Sequence, residues 1–405
     1  MIKKNLFLKN NIQHKYFKYN LLNRFIKNFQ KIKEEVNSDI NSTEKTLCVL
    51  NSKFKFNFDN KNFKKFKKFK KIVIIGMGGS ILGAEAIYNF LNTKIKKKIY
   101  FFNDLNPDSI SSLKKKENFN KVLFLIISKS GNTVETLSNT FALNIIKKNA
   151  KNIIIISEKK NNSLFNLSQK FNLFFVEHKN YIGGRFSVLS EVGILPAYLM
   201  GVNILKLRSG ILKFLKGKKM LFLKDSTTKL AYLLNTKKIN NLIFLCYSPE
   251  LEKFLFWCQQ LIAESLGKKN KGFLPMISIV PKDHHSLLQL YLDGPKDKLF
   301  HIFSLEEKSK KNTHILKSIE MNNFLNKKNL SSVKNAQKNS LIDAFKKNKI
   351  PFREFKIKEI NEEVLGELFS YFILETIITG KLANVNPYNQ PAVEQVKIKT
   401  KKLLS

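Results

Sequence analysis

Short, unbroken apolar runs that end in glycine- or serine-rich turns constrain this chain more than any other feature. Residues 72–75 (IVII) run into Gly76-Met77-Gly78-Gly79-Ser80 and then into an apolar-periodic stretch over 81–91. Residues 122–127 (VLFLII) run into Ser128-Lys129-Ser130-Gly131-Asn132-Thr133 and a second such stretch over 134–147, and 153–156 (IIII) ends in SEKKNNS. A strand with one wet face alternates polar and apolar residues, whereas a wholly apolar strand is covered on both faces. Strands of this kind alternating with helical periodicity predict a parallel sheet flanked by helices, a doubly wound α/β domain over 46–205. The pattern recurs in 242–246 (LIFLC), the apolar stretch 254–266 and the run 273–280 (FLPMISIV), which predicts a second, smaller α/β domain over 206–345. Residues 1–45 read as a polar leader, mainly helical, with Asn41 and Glu44 as a helix-start pair. Residues 346–405 read as a C-terminal helical arm, with helical spacing over 362–382 followed by the turn-rich ANVNPYNQPAVEQVK. The segment 310–340, rich in Lys, Asn and Ser, is expected to be a loose excursion. A length of 405 residues accommodates two such packed units.

The formal charge of +41 suggests an anionic ligand field, but it is diffuse. Lys is spread through nearly every segment beside Asn, Ile and Phe, residues with A- and T-rich codons, so base composition accounts for it and no nucleic-acid partner is expected. Residues 53–71 interleave Phe with Lys and read as a half-buried entry segment with a solvated lysine face. No apolar run approaches the roughly 20 residues of a membrane helix, so no membrane partner is expected. The N-terminal MIKKNLFLKNNIQHKYFKYN is broken by polar residues and lacks the apolar centre of a secretory signal. Cys48, Cys246 and Cys258 form no C-x-x-C pair, which suits a reducing compartment, the cytoplasm by default.

Two loops suit an oxyanion. In Gly76–Ser80 the glycines permit close backbone approach, and Ser80 offers a hydroxyl at a helix entry. Ile81 stands where the dinucleotide fingerprint needs its last glycine, and no G-x-x-x-x-G-K-[ST] occurs, so neither nicotinamide nor nucleoside triphosphate is expected as a cofactor. In Ser128–Thr133 three hydroxyls surround a glycine directly before a helix, as a phosphomonoester would require; the alternative is an N-cap with no ligand. Arg185 follows Gly183-Gly184 at a turn and serves either an ion pair or an anion. Glu264 lies near the end of an apolar helix, where desolvation would raise its pKa towards a base's useful range; the alternative is pairing with Lys268 or Lys269. Asp283-His284-His285-Ser286 suits acid–base work better than a metal, and no metal is expected.

Taken in order, the runs IGMGGSILG, SKSGNTVET, GGRFSVLSEVGILPA, QQLIAESLGKKNKGFLP, DHHSLLQLYLDG and NPYNQPAVEQVK resemble the successive blocks of the glucose-6-phosphate isomerase family in its bacterial form, over about 70–400. The resemblance implies two sugar-isomerase domains with a C-terminal arm. It also implies a homodimer whose active site borrows a histidine from the other subunit, and glucose 6-phosphate and fructose 6-phosphate as substrates, without metal or cofactor. By matching motif, Glu264 would be the base between C1 and C2, and His285 and Lys397 would serve ring opening. Arg185 would stabilise the enediolate. Ser128, Ser130, Thr133 and the amide of Lys129 would hold phosphate, with Gly79, Ser80 and Gln390 lining the sugar. Asn389 stands where many relatives carry Asp and Ala392 where Gly is usual, and the chain is shorter than most members. Wider sugar-phosphate specificity, mannose 6-phosphate included, and a non-catalytic sugar-phosphate sensor are the alternatives.

Overall fold

The computed structural model describes residues 5–306, 323–325 and 328–404. Among the described residues, ten strands form two five-stranded sheets. In chain order they are β1 (Leu6–Asn11), β2 (Lys71–Gly76), β3 (Lys98–Phe102), β4 (Val122–Ile127), β5 (Ile153–Ser157), β6 (Phe174–Glu177), β7 (Asn241–Cys246), β8 (Leu274–Ile279), β9 (Lys298–Leu305) and β10 (Phe352–Ile357). The first sheet is ordered β3-β2-β4-β5-β6 and is parallel throughout. The second is ordered β1-β10-β9-β7-β8, parallel except for β1, which runs antiparallel to β10 with Leu6 opposite Ile357. Two parallel α/β sheets are the architecture that the apolar runs predict.

Burial explains why those runs carry no polar residue. Ile72, Ile74, Leu123 and Leu125 of the first sheet join Phe244, Leu299 and Phe355 of the second in one continuous core. The alternate residues Val73, Ile75, Phe124 and Ile126 face a separate outer layer, as Ile243, Leu245 and Phe300 do on the far side of the second sheet. Each central strand therefore buries both faces. At about 25 cal/mol per Å2 of apolar surface removed from water, such strands supply the main driving force for folding.

The second sheet draws on residues well outside 206–345. Its edge strand β1 comes from the leader and its strand β10 from the C-terminal segment, so it has as many strands as the first. The leader also supplies the helix Tyr19–Asn41, which buries Phe25, Phe29, Val36 and Ile40 against the helices Gly217–Thr236 and Glu362–Leu382. The spacing of four within each pair places them on one stripe. Asn41 closes this helix rather than opening another: its amide bonds back to the Asn37 carbonyl at 3.0 Å, and its own oxygen accepts from Asn51. Within the expected loose segment, Leu330–Lys347 is a regular helix capped by Asn329, whereas 307–322 lie outside the described residues. In the entry segment Phe63 and Phe66 are buried, and Lys65 covers the Phe174 ring at 4.2 Å. The thiols of Cys48, Cys246 and Cys258 are free and buried. No helix among the described residues is long and apolar enough to cross a membrane.

Candidate active site

In the first sheet the strand order reverses at β2, which has β3 on one side and β4 on the other. Loops leaving the carboxyl ends of strands diverge at such a switch point and open a crevice. The loops that follow β2 and β4 are Gly76–Ser80 and Ser128–Thr133, so topology alone brings the two oxyanion loops together.

Ser128 Oγ and Thr133 Oγ1 lie 2.8 Å apart. Thr133 occupies the N-cap of the helix Val134–Ala142, yet its side chain makes no capping bond. A threonine whose hydroxyl turns from the helix towards a neighbouring serine leaves the first-turn amides for a ligand, which favours the anion reading over a plain cap. Gly131 holds the turn at φ +68°, where a Cβ would meet Asn162 Oδ1 at 1.7 Å. No other residue type fits that position without displacing Asn162. Ser130 is exposed at the rim. Lys129 donates to the Asn180 carbonyl at 2.7 Å and lies 3.8 Å from Glu158, and burial lowers its pKa.

Arg185 is fully occupied. Nε donates to Ser265 Oγ at 2.8 Å; Nη1 donates to Glu264 Oε2 at 3.2 Å and to Gln390 Oε1; Nη2 donates to the carbonyls of Pro387 at 2.6 Å and Asn389 at 3.2 Å. A guanidinium has five N–H donors, and each has a partner here. Burial lowers the Arg185 pKa and the Glu264 charge opposes that shift. The Arg185 side chain is 1 % exposed and that of Glu264 29 %, so the pair is rigid on one side and open on the other. The alternative pairing of Glu264 with Lys268 or Lys269 does not form, and Glu264 pairs with Arg185. Lys268 instead donates to the Asn386 carbonyl at 2.5 Å, and burial, with Arg185 close by, lowers its pKa to about 8.

Gln260, which the sequence reading did not single out, joins the two halves. Its amide donates to Glu264 Oε1 at 2.8 Å, and it packs so tightly on Gly78, at φ +52°, that a Cβ there would lie 2.7 Å from Gln260 Nε2. Its place one helical turn before Glu264 was the available signal. Gly79 is as tightly placed, since a Cβ would stand 2.2 Å from the carbonyl carbon of Gly184, the residue before Arg185. The first oxyanion loop thereby packs against the segments that carry Arg185 and Glu264, with Ser80 half-buried at the helix entry.

A cavity of about 460 Å3 brings Met77, Ser130 and Thr133 together with Lys397 of the helix Ala392–Leu404, where Lys397 Nζ also pairs with Glu394 at 2.7 Å. The structure therefore brings Ser130, Thr133 and Lys397 to one cavity, with Ser128 bonded to Thr133, and joins Arg185, Glu264 and Gln390 in one bonded cluster against which Gly79 packs through Gly184. It does not bring His285 there: that residue is exposed in the first turn of the helix His284–Asp293 and takes no part in the bonds of Glu264 or Arg185. The two departures from the family pattern cost little. Asn389 contributes its backbone carbonyl, which any residue carries, and Ala392 opens a helix that alanine favours over glycine. The second sheet reverses order at β7, where a cavity carries Glu250, Glu306 and Glu359 beside Lys334 and Lys358, so acids outnumber cations there.

The phosphoglucose isomerase family profile matches residues 34–405. Among curated relatives, a glucose-6-phosphate isomerase of Methanocaldococcus jannaschii is 33 % identical over 344 residues, 83 % of this chain and 84 % of that one. Another, from Campylobacter jejuni, is 31 % identical over 358 residues, 82 % and 85 % of the two chains. Among solved structures, a hypothetical protein of Thermus thermophilus superposes with a TM-score of 0.80 at 23 % identity, over 98 % of this chain and 100 % of that one. A glucose-6-phosphate isomerase of Chlamydia trachomatis gives 0.79 at 15 % identity, over 99 % and 88 %. By the extent of that profile match and by relatives above 30 % identity across most of both chains, this chain belongs to the phosphoglucose isomerase family.

Proposed function

We propose that the chain interconverts glucose 6-phosphate and fructose 6-phosphate through a cis-enediol. The observation that carries this reading is the Glu264 carboxylate, bonded to Arg185 and Gln260 and part-exposed, with Gln260 packed on Gly78, whose neighbour Met77 lines a cavity with Ser130 and Thr133. Glu264 takes the proton from C2 of the open-chain aldose while the electron pair moves onto the C1 carbonyl oxygen. It returns the proton to C1 as the C2 hydroxyl gives up its proton to the C1 oxygen and its oxygen becomes the ketone. The Arg185 charge, already fixed by its contacts, needs no reorganisation as the oxyanion develops. Ser128, Ser130, Thr133 and the Lys129 amide hold the phosphate, a remote anchor that places the reacting carbons. Gly79, Ser80 and Gln390 line the sugar.

Ring opening falls to Lys397 and to a His285 supplied by a second copy of the chain. Two features support a homodimer. His285 is exposed and apart from the pair, and the helix Ala392–Leu404 leaves Val396, Ile398, Leu403 and Leu404 uncovered. Free buried thiols are in keeping with a reducing cytoplasm.

The test is conversion of fructose 6-phosphate to glucose 6-phosphate in a coupled assay with chelator present, beside mannose 6-phosphate formation, on the wild type and Glu264→Gln. Turnover that resists chelator and falls about 10³-fold in the variant is expected. Binding without turnover in the wild type would make the chain a sensor, and full rate in the variant would remove Glu264 from the mechanism.

A further inference from the structure

Behind the segment that grips Arg185 lies a second cavity, of about 740 Å3. One wall is the helix Tyr19–Asn41, which contributes Arg24 and Lys31; the other is the segment Asn384–Tyr388, flanked by Lys381 and by Lys269. Four cations thus line one space against a single acid, Glu35. Lys381 is already committed, to Glu35 at 3.1 Å and Asp39 at 3.8 Å. The side chains of Arg24, Lys31 and Lys269 have no ion-pair or hydrogen-bond partner among the described residues.

Lysines abound on this chain, but those splayed over a convex surface are separated by water. Cations that converge on one concavity repel each other and raise the local potential, and an anion relieves both. Phe25, Leu382 and Pro387 supply apolar lining beside them, while Arg24, Lys31 and Lys269 remain exposed and within reach of a ligand from solvent. We propose that this cavity binds a small polyanion, one carrying at least two phosphate or carboxylate groups that reach cations on both walls. It is distinct from the Ser128–Thr133 loop, yet it shares a wall with the Arg185 site, because Pro387 lines the cavity while its carbonyl accepts from Arg185.

Calorimetric titration of the full chain with inorganic pyrophosphate, and separately with citrate, tests this at physiological salt with saturating fructose 6-phosphate present. One further site per chain is expected, and Arg24→Gln/Lys31→Gln should weaken it about tenfold, the effect of two partly screened charge contacts. Lys27→Gln/Lys33→Gln removes the same charge from the same helix outside the cavity and should leave it unchanged. Preference for pyrophosphate would assign a phosphate ligand, and preference for citrate a carboxylate one. Failure of both probes to bind, or equal weakening by both double variants, would overturn the proposal. The readout is binding, so a failed isomerase reading would appear as absent turnover and leave this comparison intact.

Discussion

Arg185 and Arg353 are both buried, each against one glutamate, and they differ in what the carboxylate faces. Arg353 lies on β10 inside the second sheet, 2.6 Å from Glu375 of the helix Glu362–Leu382, with Ser226 and Tyr371 completing the cluster and His301 Nε2 at 3.2 Å. Its side chain is 0 % exposed and that of Glu375 3 %. Desolvation works against the Arg353 charge, but Glu375 and Tyr371 outweigh it and its pKa is raised. Around Arg185 the balance falls the other way, and the Glu264 side chain stays 29 % exposed. A sealed pair contributes only shape and specificity, and breaking it leaves an uncompensated charge in the core. An open pair with one fixed partner leaves the other free to meet a ligand.

The largest expected effect is therefore on the sealed side. Glu375→Gln strands the Arg353 guanidinium and should lower unfolding free energy by about 3–5 kcal/mol in urea titrations, while the surviving folded fraction keeps its specific activity. Glu375→Gln/Arg353→Met should recover much of that loss, since no buried charge then remains. If Glu375→Gln proved neutral, the cluster would not be the sealed pair described.

On the open side, Arg185→Lys keeps the charge but gives up the planar fork. A lysine cannot serve Ser265, Glu264, Gln390 and two carbonyls at once. A fall of roughly 10²–10³ in kcat is expected, because losing the fork displaces both the fixed charge and the Glu264 carboxylate it positions. Equal rates with lysine would mean that the geometry around Arg185 does not matter to the chemistry.

A smaller effect concerns acid. Burial and the adjacent Arg353 charge hold the His301 pKa well below its ordinary value. Below about pH 6.5 the unfolded chain takes up a proton that the folded chain refuses, so stability falls as pH drops, by up to about 1.4 kcal/mol per pH unit for such a group. His178 acts in the same sense, its pKa lowered to about 3 by burial and by Lys129. His301→Gln keeps an acceptor for Arg353 without titrating, and should flatten the decline in urea midpoint between pH 7 and pH 4.5. An unchanged decline would assign the acid sensitivity elsewhere.

The same contrast explains what could be read from the residues alone. β2, β4, β5 and β7 were legible because each is an unbroken apolar run, and the loops after β2 and β4 were legible because glycine and serine cluster there. β10 was not: FREFKI places Arg353 within the strand, and only Glu375, distant in sequence, makes that arginine tolerable. β1 hides in a polar leader because an edge strand has one exposed side. At the site, the residue types were visible, but their partners were not. That Glu264 would face Arg185 rather than Lys268 depends on packing between segments 79 residues apart, and that carbonyls of Pro387 and Asn389 would complete the arginine's shell depends on segments 202 and 204 residues apart. His285 is the remaining case, exposed at the start of its helix and apart from the bonds of Glu264 and Arg185.

The central claim is that the Glu264 carboxylate moves a proton between adjacent carbons. Fructose 6-phosphate incubated in deuterium oxide with the wild-type chain, followed by proton NMR, reads that step directly. The account predicts deuterium at C2 of the glucose 6-phosphate formed and at C1 of recovered fructose 6-phosphate, with both signals lost in Glu264→Gln at matched protein concentration. Deuterium entering at the wild-type rate in that variant would contradict it.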